Sequence, residues 1–89
     1  MPVISMFYGI IIMMFYVDNK KHHRAHIHCE YAEHHAVIAL DNGEVLEGDL
    51  PGVKMKLVQA WLEIHKDELM ADWQLAVSGQ KPFKIEPLK

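Results

Sequence analysis

The sequence predicts an α+β domain. A meander of three to five antiparallel strands fills residues 2–50, one long helix over about 52–78 packs across one face, and an extended tail covers 80–89. Three observations predict it. Before Leu50 the apolar runs are short, rich in β-branched and aromatic residues, and separated by turn-forming residues. From Val53 to Val77 there is no proline or glycine, and the polar residues gather on one helical arc. After Gly79 apolar and charged residues alternate between Pro82 and Pro87, a pattern that suits an edge segment and not a helix.

Each element follows from its own residues. Pro2 to Met6 is β-prone, and Tyr8-Gly9 marks a bend or bulge. Ile10 to Val17 is a continuous apolar run, which favours a central strand. Asp18 to Ala25 reads as a loop, His26 to Tyr31 as an alternating strand, and Ala32-Glu33 as a turn. Ala36 to Leu40 is the next apolar run. Asn42-Gly43 after it predicts a tight type I′ hairpin, with Glu44 to Gly48 as the returning strand. Pro51 stands at the helix start and Gly79 at its stop. On the helical wheel, Val53, Leu57, Val58, Trp61, Leu62, Ile64, Leu69 and Trp73 form the arc that faces the sheet. The helix would be roughly 35–40 Å long at 1.5 Å per residue, and its excess over the usual length leaves a break into two helices open.

Eighty-nine residues suit a single domain over 1–89 with a modest core, which leaves burial for a second copy or a partner to supply. A formal charge of −3 argues against a protein that coats nucleic acid with its whole surface. Cys29 is the only cysteine, so no internal disulfide forms and a reducing cytoplasm fits. Met1 to Val17 lacks the basic start of a signal peptide, and Pro2 and Gly9 interrupt it. No membrane segment is expected.

Four of seven histidines fall between His22 and His28. Period two puts His26, His28 and Glu30 on one face of a strand and Ile27, Cys29 and Tyr31 on the other. If the second set meets the helix, the histidine row lies on the open face. Three readings of the row stand together. As acid–base groups, His22, His26, His28 and Glu30 would cleave RNA by deprotonating a 2′-OH, with Lys21 and Arg24 holding a phosphate. As ligands, His26 and His28 would offer two imidazoles to zinc or another divalent metal, with Glu30 or His22 as a third. As plain surface, the row is solvated or faces a dimer partner. Cys29 reads as a small buried hydrophobe, Trp61 and Trp73 as core anchors, and His34-His35 as surface.

A second polar set, His65, Glu68 and Asp72, falls inside the apolar helical arc, as does Lys54. Buried polar groups need partners, and a histidine between two carboxylates satisfies itself. The set reads as a buried network or as the helix's share of a site.

Several segments together resemble a small bacterial family, the domain of unknown function 4160, over nearly the whole chain. They are Met1-Pro2-Val3-Ile4, Phe7-Tyr8-Gly9-Ile10, the His-x-His-x-Glu-Tyr strand from His26 to Tyr31 and Gly43-Glu44-Val45-Leu46-Glu47-Gly48. His65 with Glu68-Leu69 and Trp73, and the closing Ile85-Glu86-Pro87-Leu88, complete the match. The resemblance implies the toxin position of a type II toxin–antitoxin pair. The implied cognate partner is a small β-rich antitoxin-like protein with a helix-turn-helix. The family carries two prolines before its His-x-His pair where this chain has Arg24-Ala25, so a less rigid loop is expected here. Two function classes follow: an RNA-targeting toxin enzyme, and a protein-interaction module that binds a partner or a second copy without chemistry.

Overall fold

A computed structural model of the chain describes residues 2–15 and 24–88. Lys21 and His22, and the proposed turn at Asp18, lie outside the described residues. Five strands form one antiparallel sheet: β1 (Val3–Phe7), β2 (Ile10–Met13), β3 (His26–Tyr31), β4 (His34–Ala39) and β5 (Val45–Gly48). They lie in sequence order, so every strand pairs with its neighbours in the chain.

Local chemistry sets the turns. Tyr8 (φ 50°) and Gly9 (φ 80°) join β1 to β2 as a two-residue hairpin across the Phe7–Ile10 pair. Positive φ at both central residues is what a type I′ turn requires, so the expected bend is a hairpin. Ala32 (φ 52°) and Glu33 join β3 to β4 across the Tyr31–His34 pair.

The Asn42-Gly43 turn departs from expectation. Only Gly43 has positive φ, and the loop spans residues 40–44. Gly43 N–H bonds the Ala39 carbonyl at 3.0 Å, and Glu44 N–H bonds the Asn42 side chain at 2.9 Å. Asn42 closes the loop by bonding backbone ahead of it, which competes with the tight turn its pairing with glycine favours.

The long helix is two helices, α1 (Gly52–Ile64) and α2 (Lys66–Val77). His65 leaves helical geometry at φ −109°, ψ 22°. A straight helix over 52–78 would run roughly 40 Å, past the molecule's longest extent of 33 Å. The break folds the second half back onto the core. Asp67 and Glu68 then stand in the first turn of α2, where the helix dipole favours negative charge. The break also invalidates the continuous wheel: Ile64, assigned to the buried arc, is exposed, as is Val53 at the start of α1. At the far end Gln80 N–H bonds Leu75 O and Gly79 N–H bonds Ala76 O, a Schellman stop with Gly79 at φ 82°. Among the described residues no helix is long and apolar enough to cross a membrane.

One face of the sheet carries Ile10, Ile12, Ile27, Cys29, Ala36 and Ile38 into a single core with Val58, Trp61 and Leu62 of α1 and Leu69, Trp73 and Ala76 of α2. Lys54, which the wheel put on the apolar arc, bonds the Tyr8 carbonyl at 2.9 Å, and its ammonium lies 4.7 Å from the centre of the Tyr31 ring. Its charge stays satisfied while its stem covers apolar surface. The tail is extended, as expected, and it belongs to the core. Ile85 is buried and its N–H bonds the Ile4 carbonyl on the outer edge of β1 at 2.8 Å.

Candidate functional site

The second face of the sheet holds the histidine row, and register extends it across strands. On β3, His28 lies opposite Met13 of β2 and Val37 of β4, and Val37 lies opposite Glu47 of β5. Glu30 lies opposite Ile11 and His35. Because the Ala32-Glu33 turn pairs Tyr31 with His34, His35 falls on the same face as His28 and Glu30.

The face is not open along its length. Met13, Val37 and Ala39 are buried, and His26 is 1% exposed. His28 and Glu30 are half-buried, and His35 is exposed. The reading of a fully open row is thus corrected: period two placed the residues on a common face but said nothing of what covers it. His26 Nδ1 lies 2.8 Å from the Arg24 carbonyl and its ring centre 4.9 Å from that of Trp73. An Nδ1–H donating to that carbonyl fixes the tautomer of the neutral ring. His26→Ala is therefore expected to cost about 1–3 kcal/mol of stability, measured as a shift of the urea midpoint. A midpoint unchanged from wild type would mean the ring contributes no packing.

His28 and His35 are the pair the fold brings together. His28 Nδ1 lies 3.4 Å from His35 Nε2, with ring centres 5.5 Å apart. The Phe15 ring stands edge-on to His28 at 4.5 Å. Sequence reading assigned His35 to plain surface; it is exposed, and strand register also brings it beside His28. The signal was present: a two-residue turn at Ala32-Glu33 sets a register in which His35 opposes Glu30.

Arg24 is engaged elsewhere. Its guanidinium bonds Glu44 Oε1 at 2.7 Å, Asp41 Oδ1 at 2.7 Å and Asn42 Oδ1 at 3.1 Å. The side chain ties the start of β3 to the β4–β5 loop, and a phosphate would have to displace two carboxylates to reach it. The guanidinium holds the carboxyls of Glu44 and Asp41 below the usual range. The lock is present above ordinary carboxylate pKa values and is lost as acid titrates those two groups. Cys29 is fully buried on the helix side, and burial pushes its thiol up, so it remains protonated and inert.

The helical set divides into two devices. His65 Nδ1 lies 2.6 Å from Glu68 Oε1 at the junction of the helices. Asp72 instead holds the tail: its Oδ1 accepts the Phe83 N–H at 3.0 Å, and its Oδ2 is buried without a hydrogen bond. Burial pushes the Asp72 carboxyl up, the Phe83 N–H pulls it partly back, and Glu68 adds to the rise. An acid whose folded-state pKa exceeds its unfolded one loses stability as pH rises through that interval. Asp72→Asn keeps an acceptor for Phe83 and removes the loss. Relative to wild type it should gain stability as pH rises above the ordinary carboxylate range, read from paired urea melts. Parallel loss in both proteins would show that Asp72 ionises freely.

Among the described residues, no three of histidine, cysteine, aspartate or glutamate are grouped to hold a metal ion. The model of a family described as a domain of unknown function, DUF4160, matches residues 9–74. No curated protein and no solved structure matches the chain.

Proposed function

The chain belongs to the DUF4160 family, and on that premise we propose that it is the toxin of a bacterial toxin–antitoxin pair that cleaves RNA through His28 and His35. The observation that carries the reading is the approach of the two imidazoles, Nδ1 to Nε2 at 3.4 Å. A hydrogen bond between two such nitrogens needs one N–H and one bare nitrogen, so the pair offers a proton donor beside a proton acceptor. The bare ring takes the proton of an RNA 2′-OH, and that oxygen attacks the neighbouring phosphorus. The 5′-oxygen leaves with the proton of the other ring, giving a 2′,3′-cyclic phosphate and a 5′-OH end. The toxin acts in the cytoplasm, and its antitoxin is a small β-rich protein with a helix-turn-helix.

Induced expression of the wild type should arrest growth, and co-expression of the neighbouring gene product should relieve it. His28→Ala and His35→Gln should each abolish arrest at equal protein level. Purified wild type should release cyclic-phosphate ends from single-stranded RNA with EDTA present. Full arrest by both histidine variants sinks the reading. A non-catalytic interaction module is the second reading. It is favoured by Ile64, 66% exposed, on the rim of an open groove of about 310 Å³ that Pro87 and Leu88 also line. On that reading RNA stays intact and Ile64→Lys abolishes partner binding.

A further inference from the structure

We propose that the groove between β1 and the tail docks the extended C-terminal end of a partner protein, with the partner's apolar last side chain in the groove and its carboxylate on Ser5 and Lys84. The groove has a volume of about 220 Å³, and Ile4 and Met6 of β1 line it together with Ile85 and Pro87 of the tail. Sites for whole small ligands run to about 300–1,000 Å³, so this one suits a single apolar side chain. Its two polar side chains select the group next to that side chain. Ser5 is 7% exposed, and its Oγ is buried without a hydrogen-bond partner. A buried hydroxyl with no acceptor is costly, and a carboxylate oxygen supplies one. Lys84 is exposed and is the charged residue of the lining. It brings positive charge to the same carboxylate. Glu86 lines the groove on the other side of the tail, so it does not compete.

The edge of β1 supplies the remaining contacts. β1 is an outer strand of the sheet. Its two-residue turn makes Phe7–Ile10 a hydrogen-bonded pair, so Met6–Ile11 is a pair of the other kind. The Met6 N–H and carbonyl therefore point away from β2, toward the bare side of the strand. The tail reaches this edge at Ile4, through the Ile85 N–H, and Met6 lies beyond that bond. The Met6 side chain is 62% exposed. A peptide lying antiparallel to β1 meets these groups in order. Its upstream residues pair with Met6, and its last residue enters the groove beside Ser5 and Lys84. In such strand addition the main-chain bonds give affinity and the groove selects the side chain. The docking site shares no residue with the His28–His35 pair, so it stands whether or not the chain cleaves RNA.

The test selects on the immobilised full chain from a pool of short synthetic peptides with randomised C-terminal positions and free carboxylates. The selected peptides should end in an apolar residue. Fluorescence anisotropy of a selected peptide should show binding that weakens by about tenfold or more when its C-terminus is amidated. Lys84→Glu and Ser5→Ala, shown folded by circular dichroism, should weaken it comparably. Lys81→Glu, outside the groove, should bind as wild type does. Hydrogen exchange at the Met6 amide should slow on binding. An empty selection overturns the proposal, as do peptides that bind equally well as amides or to Lys84→Glu. Unchanged exchange at Met6 overturns it too. Octanoate that competes as strongly as the peptide would make the occupant a small carboxylic acid. Self-association that blocks the peptide would make it a second copy. Either result removes the partner's C-terminus from the groove.

Discussion

Trp61→Ala is expected to lower stability by about 3–5 kcal/mol, measured by urea denaturation followed by circular dichroism. Trp61 is fully buried, and its ring centre lies 5.3 Å from that of Phe7. Truncation leaves a void between α1 and β1 that neither element can close, because each is fixed by its own backbone bonds. The indole N–H also bonds the Glu86 carbonyl at 2.7 Å. The variant therefore loses packing and a tail anchor at once. Trp61→Phe should recover much of the packing but not the bond, so it should melt between the two. A loss below about 1 kcal/mol for the alanine variant would place Trp61 outside the core.

Gly48→Ala is expected to cost about 3 kcal/mol or more and to remove any activity that needs His35. Gly48 sits at φ 69°, where a side chain is strained, and an added Cβ would overlap the His35 carbonyl oxygen. The obstacle is backbone, which cannot rotate away. The same carbonyl accepts the Asp49 N–H at 3.1 Å, so pushing it aside breaks a bond that holds β4 against the chain after β5. His35 would move with its backbone, away from His28. A variant with wild-type stability and unshifted His35 ring resonances would show that the strand pair tolerates the added carbon.

Parts of this architecture were legible in the sequence because they depend on neighbours a few residues apart. Alternation along His26 to Tyr31 placed Ile27 and Cys29 in the core, and the Schellman stop was written in Gly79. The meander followed from the turn residues. What escaped depended on the third dimension. His26 is buried because Trp73 of α2 reaches it, a contact between residues far apart in the chain. The length of the helix already left a break open, but its place at His65 could not be read from wheel periodicity. Arg24 resembled a phosphate ligand until the β4–β5 loop set Asp41 and Glu44 beside it. In the site itself, His28 was visible as a candidate and His35 was not. Its place beside His28 depends on strand register, which the Ala32-Glu33 turn decides.

The tail's bond to β1 also governs the order of assembly during synthesis. Each hairpin of the sheet joins strands that leave the ribosome one after the other, so the meander closes from local contacts at little loop entropy. The Ile85-to-Ile4 bond joins residues near opposite ends of the described chain. Until Ile85 and Glu86 are made, β1 presents a bare outer edge and the Trp61 N–H has no acceptor. The nascent domain thus passes through an interval in which its first strand is a template for pairing with other chains. Slow translation over residues 78–86 would lengthen that interval, and aggregation would rise with it.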